Sequence, residues 1–182
     1  MLTLRSCLAV LLVVPALAFA ACGNDDDDSG GEGTFDREEF PFTFSYPEGF
    51  EVTEEVTVDQ ALGAEADETI AVGLDQDNIL LVQSFTLNIA IDESNLNLAK
   101  QEIDGLAQQV APGAESQETE VAGLPALELE GIEVPTVEDG ESTLTAIFDG
   151  EQEYFLNCQS TPDHREEIAE ACDLALETFE LK

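Results

Sequence analysis

Positive charge is what this sequence has least of. Two lysines and three arginines stand against 41 acidic residues in a chain of 182. Beyond Cys22 only Arg37, Lys100, Arg165 and Lys182 remain to face all 41 acids, which leaves that part of the chain at −37. A nucleic acid is thereby excluded as a direct partner, because binding it requires Lys and Arg to neutralise phosphates. Anionic lipid headgroups are repelled for the same reason. Self-repulsion on this scale destabilises a compact chain in dilute salt. A saline habitat, where screening contracts to about 3 Å near 1 M salt, is the simplest account. A calcium-loading surface is the sharper alternative.

Residues that carry chemistry are also few. Trp is absent and Tyr numbers two, so a sugar finds little aromatic surface to stack on. The single histidine, His164, has no second histidine with which to hold zinc. Among Asp163, Arg165 and Glu166 it reads as a solvated surface residue rather than a general base. With two lysines in the whole chain, serine and threonine nucleophiles lack an activating base. Gly-x-Ser-x-Gly, His-Glu-x-x-His and P-loop patterns are missing. Carboxylate pairs abound, which leaves an acid-dependent hydrolase open, yet among 41 acids pairs arise by chance. No catalytic residue is assigned.

Long apolar runs are absent too, with one exception. Residues 7–21 are apolar, broken only by Pro15, and follow Arg5. At 1.5 Å per residue the run spans about 22 Å as a helix, short of the roughly 30 Å hydrocarbon core. Residues 1–21 therefore read as a secretory signal peptide rather than a permanent span. The run stops at Phe19-Ala20-Ala21-Cys22 and meets Gly23 and four consecutive Asp. This junction resembles the lipobox of bacterial lipoproteins, with Phe19 where Leu is usual. The resemblance implies a diacylglyceryl thioether on Cys22, and two chains suffice for stable anchoring where one does not. It places the protein at the outer face of the cytoplasmic membrane. Residues 22–36 then form the anchor and an acidic linker, whose repelling Asp run and glycines argue against fixed structure.

The four cysteines divide cleanly. Cys7 leaves with the signal and Cys22 takes the lipid, so Cys158 and Cys172 remain. In an exported protein such a pair reads as a disulfide. Two buried free thiols are the other reading.

Residues 37–182 are long enough for one domain with a real core. Phe40, Phe42, Phe44 and Tyr46 alternate with polar residues and Pro41, a half-buried strand, and Pro41 suggests a sheet edge. A second short strand is expected over 51–58. Two further strands flank the loop Asp75-Gln76-Asp77-Asn78. Asp75 and Asp77 put hard oxygen ligands on its tip, candidates for calcium, although turn chemistry explains Asp and Asn there equally well. The unalternating run Ile79-Leu80-Leu81-Val82 predicts a strand covered on both faces. Ser94 caps an amphipathic helix carrying Leu96, Ala99, Ile103, Leu106, Ala107 and Val110, ended by Pro112-Gly113. Gly105 inside it points to close packing on the sheet. After a turn at 122–125, Asp149-Gly150 gives the strongest hairpin signal in the chain. Thr161, with Pro162 at the first helical position, opens a last helix with Ile168, Cys172, Ala175 and Phe179 on one stripe. Strands, helix, strands, helix, with hairpins throughout, predict an α+β fold, an antiparallel sheet with a helix on each face.

Three stretches carry a further resemblance. Phe44-Ser45-Tyr46-Pro47-Glu48-Gly49-Phe50, the turn Val121-Ala122-Gly123-Leu124-Pro125-Ala126, and the terminal strand and helix from Phe155 to Phe179 are similar to the PsbP-like fold. With the anchor, the chain resembles the LpqN-type lipoproteins of actinobacteria over about residues 40–181. The resemblance implies an α/β/α sandwich and a binding or docking role toward an unidentified envelope protein or ligand. It carries over no catalytic residue and no cofactor. The expectation is a lipid-anchored, non-catalytic envelope module. A divalent-cation-binding surface protein and an acid-dependent hydrolase are the alternatives.

Overall fold

The computed structural model describes residues 32–53 and 66–182. The signal segment, Cys22, the start of the linker and residues 54–58 of the expected second strand lie outside the described residues. Two antiparallel sheets and two helices make up the rest. β1 (Glu32–Asp36), β2 (Phe42–Pro47) and β9 (Glu180–Leu181) form a small sheet in the order β1-β2-β9. The larger sheet runs β3-β4-β5-β8-β7-β6, from β3 (Glu51–Thr53), β4 (Glu68–Gly73), β5 (Ile79–Ile91), β8 (Glu141–Ser160), β7 (Leu124–Glu133) and β6 (Gln117–Val121). The helices are α1 (Leu96–Val110) and α2 (Arg165–Glu177).

β8 is 20 residues long, and a straight strand of that length would separate Ser142 from Asn157 by about 50 Å. The Ser142 hydroxyl nevertheless donates to Asn157 Oδ1. β8 therefore doubles back, and Gly150 supplies the positive φ of +62° at the reversal. Its first arm pairs with β7 and its second with β5. The Asp149-Gly150 hairpin expected from the sequence is present.

The larger sheet is covered on both faces. On one, Phe35, Phe42 and Phe44 of the small sheet join Ile168, Ala171 and Cys172 of α2 over Val72, Leu80, Val82, Tyr154 and Leu156. Each Phe so buried contributes roughly 1.5–3 kcal/mol. On the other, Leu96 and Ala99 of α1 pack on Leu127, Ala146 and Phe148. Leu80, Leu81 and Val82 are all buried, as their unalternating sequence predicts.

Five local expectations are corrected. Glu32–Asp36, assigned to the linker of residues 22–36, is strand β1; it pairs from Glu32↔Pro47 to Asp36↔Thr43 and buries Phe35. β2 is the middle strand of its sheet, because Pro41 precedes it and loses no ladder bond there. Asn95, not Ser94, caps α1; the Ser94 N–H and hydroxyl both donate to Asp92 Oδ1 at 2.8 and 2.6 Å. Leu106 is 36% exposed, at the rim of the buried stripe. Gly105 is exposed, and a Cβ built there meets nothing within 4 Å, so close packing is not its reason. Among the described residues, no helix is long and apolar enough to cross a membrane.

Candidate functional site

Where the small sheet meets the larger one, a cleft of about 500 Å³ opens between the loop before β2 and the strands β4, β5 and β8. Register sets its floor. Glu68 pairs with Ser84, Ser84 with Tyr154, and Thr86 with Gln152, so these residues alternate toward the same side as the buried Val82 and Leu156. Glu38 and Glu39 come from the loop, beside Phe40 and Pro41 as an apolar wall. Asp67 stands at the mouth, where its Oδ2 accepts from the Thr86 hydroxyl at 2.8 Å. Gln152 Nε2 donates to Thr86 Oγ1 at 3.3 Å.

The cleft is rich in acceptors. Glu68 Oε2 is sealed from solvent and has no hydrogen-bond partner among the described residues. Burial first, then the charges of Asp67 and Glu39, hold Glu68 above the usual carboxylate range. Burial, Asp149 and Glu68 likewise push the Tyr154 phenol up. Lys182 lines the cleft, but its ammonium is 2.8 Å from Asp36 and also donates to the Arg37 carbonyl.

The residues singled out by sequence lie elsewhere. Asp75 Oδ1 accepts from the N–H groups of Asp77 and Asn78 at 2.8 and 2.9 Å and from Asn78 Nδ2 at 3.0 Å. Burial would raise Asp75, but these bonds outweigh it and hold the carboxylate below its usual range. Asp75 thus organises the turn, while Asp77 offers its carbonyl to Gln159 at 3.2 Å. Among the described residues, no three His, Cys, Asp or Glu side chains converge as a metal site. Cys158 of β8 and Cys172 of α2 are joined as a disulfide, with their Cα atoms 6.1 Å apart. His164 Nδ1 lies 3.0 Å from Glu167 at the surface.

One serine does meet a lysine, which sequence reasoning missed. The Lys100 ammonium donates to the Ser116 carbonyl and to its Oγ, and lies 3.3 Å from Asp104. Ser116 in turn donates its N–H and its hydroxyl to Asp104 Oδ1, both at 2.7 Å. The residue is 4% exposed, and its hydroxyl proton is held by the same carboxylate that pairs with the lysine. A nucleophile needs the reverse arrangement, so this cluster staples the loop after α1 to the helix.

No protein-family profile matches the chain, nor does any curated protein. Among solved structures, cyanobacterial PsbP from Synechocystis sp. PCC 6803 matches with a TM-score of 0.58 at 12% identity, over 90% of this chain and 99% of that one. A protein from Bacteroides thetaiotaomicron matches with a TM-score of 0.56 at 10% identity, over 85% of this chain and 49% of that one. LpqN of Mycobacterium tuberculosis, described as involved in cell envelope biogenesis, matches with a TM-score of 0.48 at 13% identity, over 86% and 87%. The chain has the PsbP-like fold that its motifs resemble.

Proposed function

We propose that this chain is an exported lipoprotein, held by lipid on Cys22 at the outer face of the cytoplasmic membrane, whose PsbP-like domain is a non-catalytic binding module of the cell envelope. The observation that carries the binding role is the cleft, which presents acceptors at its floor and, among the described residues, no nucleophile and base in contact. The anchoring half rests on residues 7–22 and on the acidic stretch that follows them.

One observation favours a second reading. A polar cleft holding several carboxylates is what an acid-dependent hydrolase requires, and a raised Glu68 suits a general acid. Against it, Phe40 is the one aromatic lining the cleft among the described residues, a single small platform for a sugar ring.

Cys22→Ser is the test of anchoring. The variant is expected in the aqueous fraction with an unchanged circular dichroism spectrum, because Cys22 precedes β1, the first described strand, by ten positions in sequence. A variant that still sediments with membranes overturns the reading.

A further inference from the structure

The floor of the cleft holds one sealed oxygen without a partner among the described residues, Glu68 Oε2. Opposite it in the register, Ser84 lines the cleft and is 3% exposed. A buried acceptor left unpaired costs about 1–3 kcal/mol, more when charged, unless something supplies a donor. Neighbours do not supply it. Thr86 and Gln152 are engaged with Asp67 and with each other, and the Lys182 ammonium is committed to Asp36 and the Arg37 carbonyl.

What the floor lacks is a donor, and a positively charged one suits a cleft lined by carboxylates best. A bare metal ion is a poor fit, since no three ligating side chains converge among the described residues and about 500 Å³ far exceeds an ion. The volume lies in the usual range for small organic ligands, about 300–1,000 Å³. We propose that the cleft binds a primary alkylammonium group, its three N–H donors directed to Glu68 and Ser84 and its apolar stem lying along Phe40 and Pro41. The ammonium has no acceptor of its own, so it matches a floor made of acceptors. This names a ligand class for the binding module proposed above and does not depend on the anchor. The same group occurs on a free aliphatic diamine and on a lysine side chain of a partner protein.

The test is calorimetry on the full chain in detergent at about 0.5 M sodium chloride, where diffuse attraction to the acidic surface is screened. Four probes are titrated: cadaverine, N-acetyl-lysine methylamide, tetramethylammonium and calcium. Saturable one-site binding is expected for cadaverine, for the blocked lysine or for both, and not for tetramethylammonium, which has no N–H. Cadaverine alone assigns a free amine; the blocked lysine, alone or with it, assigns a partner's side chain. Glu68→Gln is expected to weaken binding at least tenfold and Ser84→Ala several-fold. Should Glu68→Gln misfold, amide shifts in the unmutated chain decide, and they are expected at 38–40, 67–68 and 84–86. No saturable binding, calcium or tetramethylammonium binding as well as the amines, or shifts confined to other segments overturns the proposal. Any of these leaves the Cys22 fractionation result standing, and failure of that result leaves this one.

Discussion

Glu153 pairs with Phe85 across β5 and shares its face with Phe155, which packs against the α1 cluster. Its carboxyl is therefore pressed toward an apolar layer, and Glu102 on α1 adds a like charge. Burial first and then Glu102 push it up to about 7. In the unfolded chain it ionises near 4.5, so between 4.5 and about 7 the folded state holds a proton that the unfolded state has released. Stability from this group falls as pH rises through that window, and its penalty is complete above about 7, up to about 3 kcal/mol. Glu153→Gln should therefore raise stability at pH 8 by about 1–3 kcal/mol while changing little at pH 4.5. Urea unfolding at the two pH values measures this; equal shifts at both would contradict it. Nothing in the sequence marks Glu153 or Glu68 among 41 acids. Register decides which carboxylates turn inward, and register depends on partners far along the chain.

Elements were more legible than residues where their cause is local. The Asp149-Gly150 reversal and the amphipathic stripes of α1 and α2 follow from neighbours in sequence. The small sheet does not, because Phe42 pairs with Leu181 across almost the whole chain and β1 looks like linker in composition. The loop 75–78 shows the same division. Its turn chemistry was readable, but Asn78 Oδ1 also accepts from the Thr161 N–H and hydroxyl at 2.9 and 3.0 Å. The loop thereby clasps the entry to α2, a contact over 83 positions that no local signal announces. Thr161 spends its hydroxyl there instead of capping the helix. In α1, Gly105 has open space for a methyl group and no positive φ. Gly105→Ala should then stabilise the protein by about 0.5–1 kcal/mol, through helix propensity and a less free unfolded chain. Thermal melting reads this directly, and a lower melting temperature would show that the glycine serves some contact outside the described residues.

At the scale of the whole molecule, a charge of −36 opposes compaction everywhere, while among the described residues one disulfide and a few ion pairs resist it. The four cations past Cys22 are already engaged, Lys100 with Asp104, Arg165 with Glu141 at 3.1 Å, Lys182 with Asp36, and Arg37 over the Phe35 ring. The exposed pairs add little in salt. Screening is the remaining relief, so the melting temperature should climb steeply from dilute buffer to molar sodium chloride. The Cys158–Cys172 bridge acts on the other side of the balance. It closes a span of 14 positions between β8 and α2, and a loop of that size restrains the unfolded chain by about 3 kcal/mol. In dilute buffer an unfolded chain of this charge swells, which makes the closed loop more restrictive of it. Reduction should therefore lower the melting temperature at every salt concentration, and most at the lowest. Melting curves with and without reductant across a salt series check both points. A melting temperature indifferent to salt would remove the repulsion argument. A drop on reduction that is the same in dilute and molar salt would leave the bridge acting independently of charge.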